Sequence, residues 1–335
     1  MAVTNGWGQA TQNNTNGFGK YQNTIDAGSI YADSYAGETS LVGTSAAFSY
    51  SASSFHQDEA DPTPTITGTA GGTFSATPTG LSINTSTGTI DLDASTIQSY
   101  TITYTVSGVS SSQSLAVTAS PFIANNFSME FDGTNYVNAS SLSSTLQSLT
   151  VGSISMWWKP VDATPSSGNC LLSVASTTVT NDYFAMYNIT DGKFYAQLKD
   201  NNSNNWILQT DAAAFSDNTW HHIVITQNGT EPELYVNGSK PAQTFTTSTN
   251  KTKWWDDITI EQVNIGALIY SAGTSGNASG KIDEVAIWNT ALSSDAIAEI
   301  YNATNNNTGK VLDLSTNTGN YTNSSSLQYW NRLGD

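Results

Sequence analysis

Two adjacent histidines, His221 and His222, are the first residues whose type invites a metal or general-base reading. Neighbours in a strand point to opposite faces, so the pair cannot converge on one ion. One ring is expected to pack inward beside Trp220, the other to sit at the surface or bond a strand edge. Asp257 and Glu261 stand four residues apart, about 13 Å along an extended strand. That exceeds either carboxylate separation used in glycoside hydrolysis. Cys170 is the one cysteine, which excludes an internal disulfide and a Cys-based zinc cluster. It precedes an apolar strand and is expected to be a buried thiol. Asp58, Glu59 and Asp61 cluster beside Pro62; they could offer oxygen ligands to calcium, but a solvated loop is the simpler reading. No Ser-His-Asp arrangement can be located by spacing.

Sugar binding needs a different set of groups. A pyranose face stacks on an aromatic ring while amides and carboxylates satisfy its hydroxyls. Two loops have that composition: Lys199-Asp200-Asn201-Asn202-Ser203-Asn204-Asn205-Trp206 and Lys251-Thr252-Lys253-Trp254-Trp255-Asp256-Asp257. Asn205, Trp206, Trp254 and Trp255 are therefore the candidate carbohydrate-binding residues. In a strand Trp254 and Trp255 would face opposite ways, so one of them is expected in the core.

The elements that must position these residues are set by a polar, acidic chain. Its 335 residues suggest about two domains. Only 11% are charged, and Ser, Thr and Asn supply roughly a third of the chain. Ten Lys+Arg against 27 Asp+Glu give a net charge of -17, and Arg332 is the single arginine. No basic surface is available for a nucleic-acid backbone or an anionic membrane. No apolar run reaches the roughly 20 residues of a membrane helix. A hydrophobic content of 38% and aromatic content of 10% argue for real cores rather than disorder. The N-terminal residues show no basic or apolar region of a secretory signal, although the composition has an extracellular character. Synthesis in the cytoplasm followed by release, as for a virion component, reconciles the two; loss of a signal is the plainer alternative.

Residues 1–44 repeat an aromatic between glycines, in Asn5-Gly6-Trp7-Gly8-Gln9 and Asn16-Gly17-Phe18-Gly19-Lys20. Such a segment has no core of its own, so Trp7 and Phe18 are expected either to dock on a partner or to lie in a flexible leader. Residues 45–120 turn to period-two patterning, as in Tyr100-Thr101-Ile102-Thr103-Tyr104-Thr105-Val106, which predicts half-buried strands. Residues 121–305 carry many short strands and Asn-Gly or Asp-Gly turns, at Asn237-Gly238, Asn228-Gly229 and Asp191-Gly192. Together they predict an all-β sandwich or jelly roll. The one predicted helix is residues 293–301, with Ser293 as N-cap and Asp295 in its first turn.

Three resemblances sharpen this. The leader resembles Trp-Gly/Asn-Gly leaders of marine phage structural proteins. Gly80-Leu81-Ser82-Ile83-Asn84-Thr85-Ser86-Thr87-Gly88-Thr89-Ile90 resembles the small immunoglobulin-like modules of bacterial and phage surface proteins, which implies a spacer. The larger domain resembles the laminin-G/concanavalin A-like lectin superfamily, in its pentraxin-like branch. Its landmarks are Phe131-Asp132-Gly133-Thr134-Asn135-Tyr136-Val137, Ser153–Trp158, Trp220-His221-His222-Ile223-Val224, Leu234–Gly238 and Gly280–Ser293. The resemblance implies a concanavalin A-like jelly-roll β-sandwich. It also points to a structural calcium ion on Asp132 and Asp283, with carbonyl help near Gly133; an Asx turn at Asp132 and a backbone cap at Asp283 remain the competing roles. Glucan-cleaving enzymes of this fold carry Glu-x-Asp-x-Glu on one strand, and the sequence lacks that motif. The tail, residues 306–335, resembles a strand that usually begins such a domain, and is expected to add a strand here or to a neighbouring copy.

The sequence thus leads to a non-enzymatic virion surface protein, a capsid decoration or a tail or fibre component. Its arm would dock on a major capsid or tail protein in several copies, and its lectin-like domain would reinforce the particle or contact glycans weakly. The alternative is an extracellular bacterial cell-surface adhesin with a carbohydrate-binding domain. Neither reading involves nucleic acid or membrane insertion.

Overall fold

The computed structural model describes residues 43–306 and 309–335. Trp7 and Phe18 lie outside the described residues. The chain divides into two compact units after Thr118.

The first unit holds β1 (Phe48–Ser49), β2 (Ser54–His56), β3 (Thr65–Ile66), β4 (Thr73–Thr77), β5 (Ser82–Ile83), β6 (Ile90–Asp91), β7 (Gln98–Val106) and β8 (Val109–Thr118). A four-stranded sheet runs β2-β8-β7-β4, with β2 parallel to β8. Alternation in β7 buries Tyr100, Ile102, Tyr104 and Val106 in one core with Phe55, Phe74, Leu115 and Val117. β5 and β6 pair with Ile83 opposite Ile90. Asn84 closes their turn by accepting from the amides of Ser86 and Thr87, both at 3.0 Å. Two of the acidic trio beside Pro62 bond backbone amides of the same unit. Glu59 accepts from the His56 amide and Asp61 from the Leu92 amide, each at 3.0 Å.

The second unit begins with β9 (Phe122–Ala124), β10 (Met129–Asp132), β11 (Val137–Asn138), α1 (Ser143–Leu146) and β12 (Gly152–Pro160). It continues with β13 (Asn169–Ala175), β14 (Tyr183–Asn188), β15 (Phe194–Asp200), β16 (Ser203–Thr210), β17 (His221–Gln227), β18 (Pro232–Val236), β19 (Gln243–Ser248) and β20 (Gln262–Ile265). It ends with β21 (Leu268–Tyr270), β22 (Gly273–Ser275), β23 (Ser279–Trp288), α2 (Ser294–Asn306), β24 (Lys310–Leu312) and β25 (Leu327–Asn331).

Two sheets face each other across one core. The first runs β10-β23-β12-β17-β18, with β25 also on β23; the second runs β11-β20-β13-β14-β15-β16-β19. Ile154, Met156 and Trp158 from β12 meet Leu172, Val174, Phe184 and Trp206 from the other sheet. The helix is longer than the sequence suggests, reaching Asn306, and Ser293 Oγ accepts from the Ala296 amide at 3.1 Å. Ala296, Ile297, Ile300 and Ala303 recur at helical spacing and pack on Val224, Tyr235, Ala286 and Trp288, the outer face of the first sheet.

The tail pairs within the chain. β25 runs antiparallel to β23, with Val285 opposite Asn331 and Ala286 opposite Trp330. β10 occupies the other half of the same edge, from Ile282 to Ser279. β23 therefore changes partner at Asp283 and Glu284.

Gly88 tests the first unit. Its φ is +75°, and a Cβ there would lie 2.6 Å from Pro64 Cγ and 2.9 Å from Phe74 Cε2. Gly88→Ala is expected to cost about 1–3 kcal/mol. It should lower one calorimetric unfolding transition by several degrees, and the transition of the larger unit should stay in place.

Candidate functional site

Where its partner changes on one edge, β23 carries a β-bulge against β12 on the other. Ser155 of β12 opposes Ala286 and Trp157 opposes Asp283, so three steps on β23 match two on β12. Glu284 takes a φ of +51°, a conformation costly for a non-glycine residue. Ile282 and Val285 both enter the main core. The two residues between them turn to the opposite face, which strict alternation forbids. Adjacent carboxylates thus share one side of the sheet, and each is 5% exposed.

Their surroundings differ. Glu284 Oε2 accepts from Trp330 Nε1 at 2.6 Å, and Oε1 from Arg332 Nε at 3.2 Å. Arg332 also pairs with Asp335 at 2.7 Å and donates to the Ala124 carbonyl. Asp283 accepts from Asn125 Nδ2 at 3.1 Å and from the Glu284 amide at 2.8 Å. Burial pushes the Asp283 carboxyl up to about 6, against the pull of those donors. Burial likewise raises Glu284 to about 7, with Asp283 adding to it and Trp330 and Arg332 opposing.

Asp283 lines a cleft of about 350 Å³. Its other walls come from the Asn125–Ser128 segment between β9 and β10, from Trp157 on β12, and from Trp220 just before β17. Thr304 of α2 and Gly309–Val311 close it. Phe127 is 64% exposed, and Trp220 is half-buried. Trp157 is nearly buried and held firmly. It stacks on Tyr301 at 5.8 Å and lies 5.2 Å from the His222 ring. His222 Nε2 in turn meets Ser155 Oγ at 2.8 Å. Burial drops His222 to about 3, so it stays neutral. The cleft combines indole and phenyl surface, amides, one buried carboxylate and the rim residue Lys310. That composition suits a hydroxylated ring.

The residues singled out from the sequence fall elsewhere. Trp206, Trp254 and Trp255 have no exposed surface and cannot stack on a sugar. Trp254 and Trp255 do not lie in a strand; they enter a short 3₁₀ turn at Trp255–Asp257, and their rings stack at 4.7 Å. The opposite-face expectation assumed an extended backbone, and so fails here. Trp206 stacks on Trp254 at 6.2 Å and donates its Nε1 hydrogen to the Lys253 carbonyl at 2.9 Å. Asn205 is 9% exposed beside it.

Asp257 and Glu261 do not share a strand either. Asp257 accepts from the Trp254 amide and from Lys253 Nζ. Glu261 accepts from Thr177 and Thr178, bonds that hold its carboxyl down near 2. Of the histidines, His221 turns inward, edge-on to Phe215, with its Nε2 accepting from the Ser216 amide at 3.0 Å. His222 lies under α2 rather than at the surface. Cys170 is buried, which pushes its thiol up.

Asp132, Gly133 and Asp283 do not assemble into one cation site. Asp132 opposes Ser279 on β23, and Asp283 is four residues farther, about 13 Å along an extended strand. Asp132 Oδ1 already accepts from the Thr134 amide, the Thr134 hydroxyl and the Asn135 amide, which hold its carboxyl below the usual range. This is an Asx turn, completed by Gly133 at φ +85°. Among the described residues no group of three or more His, Cys, Asp or Glu is placed to hold a metal ion. The residues present do not fit the calcium ion that the family resemblance implies.

The family can now be stated. Residues 131–298, half of the chain, match the model of the concanavalin A-like lectin/glucanases superfamily. The chain belongs to that superfamily. No curated protein sequence matches it. Among solved structures, the CBM40 domain of Ruminococcus gnavus IT-sialidase bound to α2,3-sialyllactose is 18% identical, with a TM-score of 0.46. The match covers 53% of this chain and 97% of that one. The K499G mutant of NanB sialidase from Streptococcus pneumoniae is 19% identical with a TM-score of 0.45, covering 53% and 28%. The native heptameric SAP-like pentraxin from Limulus polyphemus is 17% identical with a TM-score of 0.40, covering 62% and 91%. The superfamily name spans binders and hydrolases, so it fixes architecture and leaves activity to the site.

The cleft was not legible as a unit. Trp157, Trp220 and Asp283 stand within the landmark segments, and alternation places Trp157 opposite the core residues Met156 and Trp158. Asn125 and Phe127 gave no signal of their own.

The acid pair has a pH signature. A carboxyl whose folded pKa lies above its unfolded value binds more protons in the folded state. Stability from that group is then highest at low pH and falls as pH rises from about 4 through about 7. Asp283→Asn removes one such group and relieves Glu284 of a like charge. The variant's stability relative to wild type should therefore grow across this window, by about 1–3 kcal/mol at the alkaline end. Urea unfolding midpoints at both ends of the window check it.

Proposed function

We propose that this protein is a non-enzymatic, extracellular carbohydrate-binding protein whose superfamily sandwich presents the Trp157–Trp220–Asp283 cleft to glycans. The cleft carries this reading: aromatic surface, amides and a carboxylate meet in a volume suited to one or two sugar rings. The carboxylates first considered for hydrolysis support it from the other side, since Asp257 and Glu261 are occupied by local hydrogen bonds. Asp283 is the one carboxylate among the residues lining the cleft, where glycoside hydrolysis uses a pair facing each other across the scissile bond. In this reading the first unit is an immunoglobulin-like spacer, and the setting is a bacterial cell surface.

Trp220→Ala and Phe127→Ala are expected to weaken binding in a polysaccharide affinity gel by about tenfold or more, with little change in unfolding temperature. The bound glycan should release no reducing ends on incubation. Retained binding in both variants would remove the cleft from the account.

A virion-surface setting is the second reading. It is supported by the Gly/Asn/aromatic repeat around Trp7 and Phe18 and by the net charge of -17. Peptide mass spectrometry of gradient-purified particles tests it. A fixed copy number relative to a major capsid protein is expected if it holds, and absence from particles with presence in cell envelopes would discard it.

A further inference from the structure

Two buried acceptor groups at the cleft wall lack a full set of donors. Asp283 has two protein donors, Asn125 Nδ2 and the Glu284 amide, while a carboxylate offers about four lone-pair positions. Beside it, Asn125 Oδ1 is buried with no hydrogen-bond partner. Arg332 pairs with Glu284 and Asp335, and among the ion pairs of the described residues none joins a cation to Asp283. Phe127 and Trp220 add ring surface, which attracts cations. The chain's net charge of -17 draws cations toward it and repels anions.

We propose that the cleft selects saccharides bearing a free, protonated amine. The ammonium would bridge the Asp283 carboxylate and Asn125 Oδ1, and the sugar ring would lie against Trp220 and Phe127. This rests on the glycan-binding reading above and adds the charge of the ligand. An acidic sugar would bring a third carboxylate against Asp283 and Glu284. A neutral or N-acetylated sugar would leave the buried carboxylate without a counter-charge. Lys310 also lines the cleft and has an interaction of its own; no ion pair joins it to Asp283 among those of the described residues. Burial already strains the charged form of Asp283; an ammonium in contact relieves this and lowers the carboxyl's proton affinity.

The test is calorimetric titration of the full chain with glucosamine and galactosamine oligosaccharides and with their N-acetylated counterparts, near neutral pH and at low salt. At least one free-amine oligomer is expected to bind about tenfold tighter than its N-acetylated form. Asp283→Asn should erase that preference. Raising the salt to about 0.3 M should shrink the preference in the wild type, a readout that needs no variant to fold. Binding of both forms with equal affinity overturns the charge selection and leaves the cleft reading standing. Binding of neither overturns both.

Discussion

A buried charge must be matched or it must not be buried. In this protein the β-bulge on β23 buries two charges at once, side by side, and much of the second unit is arranged to tolerate that. β25 delivers Trp330 and Arg332 to Glu284. Asn125, from the segment before β10, serves Asp283. Asp335 then accepts from Arg332 and from the Asn126 amide, which ties the end of the tail to the start of the sandwich. The bulge also fixes where β10 ends and β25 begins along the shared edge. Without the extra residue, one of the two carboxylates would point into the core beside Ile282 and Val285.

The same arrangement prepares the cleft. The Trp157 indole packs in a three-ring cluster with Tyr301 of α2 and the neutral His222, and His222 is held by Ser155. A ring fixed in this way loses little freedom when a ligand arrives. The polar wall is equally constrained, because the Asn125 amide is committed through its nitrogen to Asp283. Its oxygen is buried without a hydrogen-bond partner. Rigid aromatic surface beside a buried carboxylate gives the cleft a fixed shape before any ligand arrives.

The architecture was largely legible. Alternation in Tyr100–Val106 predicts β7 with the correct buried face, and Ser293 with Asp295 marks the start of α2. The Phe131-Asp132-Gly133 turn, the Trp220-His221-His222 strand and the Gly280–Trp288 strand all carry recognisable landmarks of the sandwich. The site was not, because it depends on register between strands. Whether Asp283 and Glu284 share a face is decided by the offset between β12 and β23, and no single-strand pattern encodes that offset. Trp254 and Trp255 were misplaced for a related reason. The alternating-face rule presumes an extended chain, and there the chain turns, folding both indoles into the core against Phe184 and Trp206. Asp132 misled differently: an Asx turn and a cation site use the same residue types.

The divided edge of β23 also shapes how the sandwich must fold. β10 joins β23 across a separation of about 150 residues and β25 across about 45. Neither pairing can be reached from a local hairpin, so loop-closure entropy must be met before either contributes. The hairpins β13–β14 and β14–β15, by contrast, are close in sequence and can form first. The β23 edge of the sheet carrying the cleft thus waits on long-range pairing. Until Arg332 arrives, desolvating Glu284 is unfavourable, so the acid pair delays closure of that sheet until the partner that neutralises it is in place.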